Sequence, residues 1–372
     1  MIRTVLGAAC AASLIAAAGA FSPASADAIS DFYGSKRMTI LISTPPGGGY
    51  DVYARLLGRS LGEYIPGKPT IIPRNMPGAG GMVLLNYAYN KGAKDGTLLF
   101  TLHYNLPMYQ AMGGRGVKYD ARKIIGLGRL LASNAVTAVW AKSKSAVKTI
   151  GDALEREAVI GSTGATSNST VYPIVLNNML GTKFKVVSGY AGGGSVFLAM
   201  ERGEIDGFGA YSYLTLKSVK PDYLTQKKIQ PIVQWGPKRE EEWSHVPTAV
   251  DLAKSGVDRA AMKIASTGPE IGFSYFMPPG VPAARVNALR TAFNTMIKDP
   301  AFLREAKRHR LDLRTADAAY VEKLVADVMA ASPDSIDRLR QLMVVKGKGA
   351  RCQDYTAVKY CRKKRKRKKK NN

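Results

Sequence analysis

Apolar residues fall into two rhythms that alternate along the chain. Met38-Thr39-Ile40-Leu41-Ile42 is a continuous run of strand length, and it stops at Ser43-Thr44-Pro45-Pro46-Gly47-Gly48-Gly49. Beyond those glycines Tyr53, Leu57, Leu61 and Tyr64 recur at helical spacing with Leu56 beside them, which predicts a helix with one buried face. The order then repeats: Pro69–Pro73 reads as a strand, Arg74–Gly81 as a glycine-rich corner, and Val83, Leu84, Tyr87 and Ala88 as the buried face of a second helix. Asp95-Gly96 turns into a third strand over Leu98–Leu102. Strands and helices alternating in this way predict a parallel sheet.

The pattern continues in a second set. Ala135–Trp140 is a strand leading out of the first domain, Thr149 is an N-cap for a short helix, and Val159-Ile160 runs into the corner Gly161–Ser167. Val186–Ser188 runs into a fourth corner at Gly189–Gly194, with Phe197–Met200 opening the next helix. Ile232–Trp235 reads as the last strand of this set. Phe273–Met277 is a further strand, and a helix started by proline follows it with Val286, Leu289, Phe293 and Met296 as its stripe. Tyr320, Leu324, Val328, Ile336, Leu339 and Leu342 carry the helical rhythm to the end of the patterned region.

The corners carry the candidate chemistry. A strand, a glycine loop and a helix start present backbone N–H groups that no helical carbonyl uses, the helix dipole adds positive charge, and glycine lets a ligand approach closely. Gly47, Gly48, Gly49, Tyr50 and Asp51 form one such corner; Gly78, Ala79, Gly80 and Gly81 form another, and two on neighbouring strands face one ligand. His103, Tyr104 and Asn105 follow the third strand at its carboxyl end, where a neutral histidine or an amide can donate to a carboxylate. The alternative for any single corner is a set of tight turns, with Asp51 complementing a helix start. Asp206, in a Gly-x-x-Asp turn, is expected to order that turn rather than meet an anion.

Other chemistries fail on spelling. Gly47-x-Gly49 leads to Val52 and Gly78-x-Gly80 to Val83 where a dinucleotide fingerprint needs a small residue, and neither corner has the Gly-Lys-Ser/Thr of a P-loop. A secreted serine hydrolase is the enzyme alternative, but Ser162 lacks a Gly-x-Ser-x-Gly setting and only His103, His245 and His309 are available as a base. No metal-ligand spacing or cofactor signature is present, and none of these groups is expected.

Composition adds bounds. The 372 residues are 46% apolar and 22% charged, ordinary for a globular chain with room for two domains. Arg3, the alanine-rich apolar run from Val5 to Ala20, and Ala24-Ser25-Ala26 form a secretory signal peptide over 1–26, expected to be cut after Ala26 for export. Cys10 lies inside that leader. The formal charge of +26 owes much to Arg362–Lys370. That block sits in a basic tail over 346–372, expected to be disordered, which also holds Cys352 and Cys361. A nucleic-acid role for it conflicts with the secretory leader; contact with anionic membrane lipid is the alternative to a dispensable appendage.

Three motifs in order resemble one family. Pro-Pro-Gly-Gly-Gly-x-Asp-x-x-Ala-Arg from Pro45 to Arg55, Asn-x-Pro-Gly-Ala-Gly-Gly from Asn75 to Gly81, and Asp95-Gly96-Thr97-Leu98-Leu99 resemble the periplasmic receptors of tripartite tricarboxylate transporters, the Bug family. The chain departs from that pattern at Tyr50, where a small Thr is common, and at Arg74 and Met76, where Glu and Arg are common. The resemblance covers Met38 to Val345. It implies an α/β, periplasmic binding protein type II-like fold: two α/β domains joined by a hinge with the ligand cleft between them. Residues 38–135 with 247–345 would form the discontinuous first domain and 136–246 the second, with the chain returning at the Val246-Pro247-Thr248 segment. It further implies that Ser162, Thr163 and Thr166 meet the distal end of a small carboxylate and that Gly164, Tyr190, Gly192 and Gly193 line the cleft. The protein would then be a periplasmic monomer serving the large and small membrane subunits of the transporter. A citrate-like di- or tricarboxylate, an aromatic carboxylate and an acidic amino acid all remain open as ligand, as do transport and signalling.

Overall fold

The computed structural model describes residues 23–164 and 166–344, with side chains from Asp27 onward. The cleavage signal and the basic tail with its two cysteines lie outside the described side chains. The chain begins with α1 (Pro23–Gly34), β1 (Arg37–Ile42), α2 (Gly49–Ser60), β2 (Thr70–Asn75), α3 (Met82–Lys91), β3 (Leu98–Thr101), α4 (Leu106–Ala111) and β4 (Ile125–Leu131). A second set follows: β5 (Ala135–Trp140), α5 (Ile150–Glu155), β6 (Glu157–Ser162), α6 (Asn168–Leu180), β7 (Lys183–Ser188), α7 (Gly193–Glu201), β8 (Gly207–Ser212), α8 (Tyr213–Val219), α9 (Pro221–Thr225) and β9 (Ile229–Trp235). The last set is α10 (Gly256–Ile271), β10 (Phe273–Met277), α11 (Ala283–Met296), α12 (Pro300–Arg308), β11 (Ala316–Asp317), α13 (Ala318–Met329) and α14 (Pro333–Leu342).

Two sheets result. The first has the order β11-β4-β10-β3-β1-β2 and the second β7-β6-β8-β5-β9. β1 pairs in parallel with β2 and β3, and β6 with β7 and β8, as the alternating pattern predicts. β4, β10 and β11 in the first sheet and β5 and β9 in the second pair antiparallel, so both sheets are mixed. In β5 alternate residues serve opposite cores, Val136 and Ala138 on one side and Ala135 and Val139 on the other.

Two faces were displaced from the sequence reading. On α3 the buried residues are Leu84, Leu85 and Ala88, while Val83 and Tyr87 are 47% and 41% exposed. Seven of its ten residues are apolar, so a period of 3.6 does not select one face. On α13 Val321, Val325 and Val328 are buried and Tyr320 is exposed, its ring under the Arg129 guanidinium. β4 and β8 escaped the pattern because glycines interrupt them. Those glycines admit neighbours: a Cβ on Gly128 would meet the Phe293 ring, and one on Gly209 the Ser169 carbonyl.

The chain passes between the sheets at residues 132–134 and again at Gly272. A Cβ on Gly272 would strike the Leu131 carbonyl, so the two crossings run side by side. The Val246-Pro247-Thr248 segment stays with the second sheet: Gln234 N–H donates to the Pro247 carbonyl and Ala249 N–H to the Gln234 carbonyl. α10 also packs there, with Ala261, Met262 and Ala265 against Tyr172, Val175 and Trp235. Re-entry into the first sheet therefore falls at Gly272 rather than at 247. α14 crosses once more, and its Ile336, Leu339 and Leu342 join the second core.

Candidate functional site

The corner after β1 is held by Asp51. Its carboxylate turns back from the first turn of α2 to accept the Gly47 N–H (2.9 Å), the Asn75 Nδ2 (2.8 Å) and the Arg55 Nε (3.0 Å). Asn75 also donates to the Thr44 carbonyl at 2.8 Å, which ties the first corner to the second. Burial works against the Asp51 carboxylate, but the bonds from Arg55, Gly47 and Asn75 outweigh it and hold its pKa below the ordinary value. The second corner is a run of left-handed backbone: φ is +142° at Gly78, +46° at Ala79, +61° at Gly80 and +90° at Gly81. Glycine supplies this at little steric cost; Ala79 does not.

Across from them lie the corners of the second sheet. Hydroxyls build the third one: Ser169 Oγ accepts from Thr163 N–H (3.1 Å), Ser162 pairs with Thr170 (2.7 Å), and Thr170 donates to the Gly164 carbonyl (2.6 Å). The fourth hangs from β6 through Gly189 and Tyr190 N–H groups, both 3.2 Å from the Ser162 carbonyl. The lobes touch. Thr166 Oγ1 donates to the Ala79 carbonyl at 2.6 Å, Asn168 Nδ2 donates to the Tyr104 hydroxyl, and the Pro45 ring lies over Gly192.

Between the lobes is a cavity of about 600 Å³. Gly47, Gly48, Gly49, Tyr50, Gly78, Ala79, Gly80, Gly81, His103, Tyr104, Thr163, Tyr190, Gly192 and Gly193 border it. Asp51, Asn105, Ser162, Gly164 and Thr166 are not part of that lining: Asp51 is consumed by the loop, Ser162 by Thr170 and Thr166 by the lobe contact. Asn105 is buried under α10, its side-chain atoms without protein partners. Sequence reasoning missed Asn168, Ser169, Tyr211, Ser212, Thr215 and Phe273. Only Asn168 and Ser169 had a local signal, since they follow the hydroxyl-rich corner; Tyr211 and Phe273 arrive from strands whose ends carry no motif.

The lining contains no Asp, Glu, Lys or Arg among the described residues. Of the helices that start on it, α2, α3, α6 and α7 have Gly48, Gly81, Ser167 and Gly192 as N-caps with no closing side-chain hydrogen bond, whereas α8 is closed by Ser212, whose Oγ accepts the Thr215 N–H. Away from the cavity the starts of α5, α10, α12, α13 and α14 are closed, by Thr149, Ser255, Asp299, Asp317 and Ser332, while α9 and α11 start at a proline and carry no side-chain cap. Open helix starts leave N–H donors and the positive dipole end facing the cavity. His103 adds a neutral imidazole: burial pushes its pKa down to about 4. No carboxylate orients that ring, so the Ser-His-Asp arrangement of a hydrolase is not assembled on it.

Two α/β lobes closing on a polar, uncharged cavity at the carboxyl ends of their parallel strands define a solute-binding protein of the type II periplasmic class. Residues 54–340 match the tripartite tricarboxylate transporter family receptor, and the chain belongs to that family of periplasmic solute-binding receptors. Protein BugT of Bordetella pertussis is 36% identical over 94 residues, a stretch that spans 25% of this chain and 27% of that protein. Among solved structures, a TctC solute-binding protein from Polaromonas without ligand matches with a TM-score of 0.54 at 21% identity, over 80% of this chain and 96% of its own. Rpa4515 of R. palustris with adipate matches with a TM-score of 0.62 at 18% identity, over 82% and 97%. MatC from Rhodopseudomonas palustris with bound malate matches with a TM-score of 0.61 at 17% identity, over 81% and 98%. Among the described residues no helix is long and apolar enough to cross a membrane.

Proposed function

We propose that this receptor captures a small carboxylate in the cavity and delivers it to the membrane subunits of a tripartite tricarboxylate transporter. The observation that carries the reading is the set of four helix starts, unclosed by any side-chain hydrogen bond, that meet around an uncharged cavity. Two starts come from each lobe, which suits a ligand with an acidic group at one end and a second polar group at the other. The adipate and malate found in related folds support the same class. N–H dipoles hold an anion without a buried cation, and release then breaks no buried ion pair.

A second reading, an aromatic carboxylate, is favoured by Tyr50. Its ring centroid lies 4.4 Å from that of Phe273 and 5.5 Å from that of His103, and these rings wall the cavity where the family commonly has a small residue.

A thermal-shift screen of the exported form against succinate, glutarate, adipate, malate, citrate, glutamate and terephthalate tests both. An acid at a hundred times its Kd stabilises by about 2.7 kcal/mol, and its uncharged amide should do nothing. A shift with none of these acids overturns the carboxylate reading. Tyr50→Thr should re-rank aliphatic against aromatic acids; an unchanged ranking removes Tyr50 from the choice of ligand.

A further inference from the structure

His103 stands at the carboxyl end of β3 against the start of α3, where a Cβ on Gly81 would sit 2.8 Å from its own Cβ. The residue is 8% exposed and its ring borders the cavity. Its Nδ1 is closed off from solvent and has no protein partner. An N–H at that position would be a buried orphan donor, a costlier state than an idle lone pair. The single proton of the neutral ring therefore belongs on Nε2, the remaining polar atom.

The groups that face the ring reinforce this. Tyr50 of α2 stacks on it, and Tyr104, next in the chain, lies with its ring 5.4 Å away; burial pushes the Tyr50 and Tyr104 hydroxyls far above their ordinary range, so both are neutral. Asp51 and Arg55, also on α2, are paired with each other at 2.9 Å, and the part of α3 nearest the ring is Gly81 backbone. No ionised neighbour contributes to the low pKa of His103, which follows from burial alone. The open start of α3 further opposes a positive charge.

We propose that His103 is a fixed neutral donor in this receptor, its Nε2–H given to an oxygen of the ligand carboxylate seated at the start of α3. Capture then needs no proton uptake by the protein. This rests on the carboxylate reading of the cavity.

The chain has three histidines, which makes the imidazole nitrogens easy to follow in 15N-labelled protein by NMR. Spectra from pH 6 to 8, without acid and with saturating glutarate or terephthalate, whichever the screen ranks higher, should show His103 as the neutral Nε2–H form throughout. Kd for the same acid should move by less than about threefold over that range. His103→Leu should weaken binding by about ten- to hundredfold, and His103→Gln, whose amide reaches the Nε2 position, should recover most of it. A charged imidazolium in the complex, proton uptake seen in calorimetry across buffers, or His103→Leu binding as tightly as wild type overturns the proposal while leaving the receptor intact. If the leucine variant fails to fold, the spectra of the wild type decide. No binding of any acid overturns the carboxylate reading and this assignment together.

Discussion

Asp51 shows how a residue that looks like part of a binding motif serves it from behind. A carboxylate facing the cavity would repel an anion; turned inward, it converts the Gly47 N–H, the Asn75 amide and the Arg55 guanidinium into a brace that joins two corners. Arg55 is 40% exposed, so its ion pair adds little on its own. Losing the accepting carboxylate is the larger effect, and Asp51→Asn should cost about 1–3 kcal/mol. Because the folded pKa lies below the unfolded one, this contribution is complete above about pH 4 and drains away as pH falls through the folded value. Tm measured from pH 2 to 7 should show a wild-type advantage that is constant near neutrality and shrinks in acid; a gap independent of pH would assign the stability to packing.

Among the helices, four starts at the cavity give up a side-chain cap and leave their N–H groups to the ligand. A side-chain cap contributes about 1 kcal/mol over alanine but only about 0.2–0.5 kcal/mol over glycine, and α2, α3, α6 and α7 do without it where they meet the cavity. Gly192 allows a direct test, since its φ of −169° suits any residue and an added Cβ meets nothing nearer than the Pro45 ring at 3.6 Å. Gly192→Asp should cap α7, raise stability by about 0.2–0.5 kcal/mol and abolish the thermal shift with acids. A variant that is more stable and still responds fully to acid would take the α7 start out of the site.

For the molecule as a whole, closure rests on glycine at the lobe contact. Gly80 has φ of +61°, and a Cβ there would lie 2.4 Å from Thr166 Oγ1, so Gly80→Ala acts as a wedge between the lobes. The radius of gyration from solution scattering should rise and affinity should fall by at least about tenfold, and the left-handed backbone should cost the lobe about 1–2 kcal/mol. Thr166→Val removes only the bond to the Ala79 carbonyl and should speed release by about two- to tenfold. Affinity unaffected by the alanine would mean that the ligand is held by one lobe.

Local signals carried far in this chain. Prolines and glycines at residues 45–49 and 77–81 dictate corners because they restrict or free φ whatever surrounds them, and apolar runs between them specified β1, β2, β3, β5 and β10. The same locality let Thr149 be read as a cap and Asp206 as a turn residue, its carboxylate accepting the Val159 N–H at 2.8 Å. What required the tertiary structure was every choice between neighbours: which face of α3 is buried, that Ser162 and Thr166 spend their hydroxyls on protein, that Tyr211 and Phe273 reach the cavity, and that the return crossing waits until Gly272. Backbone conformation is set by a residue and its immediate neighbours, whereas the partner of a side chain is set by what other strands bring within about 3 Å of it.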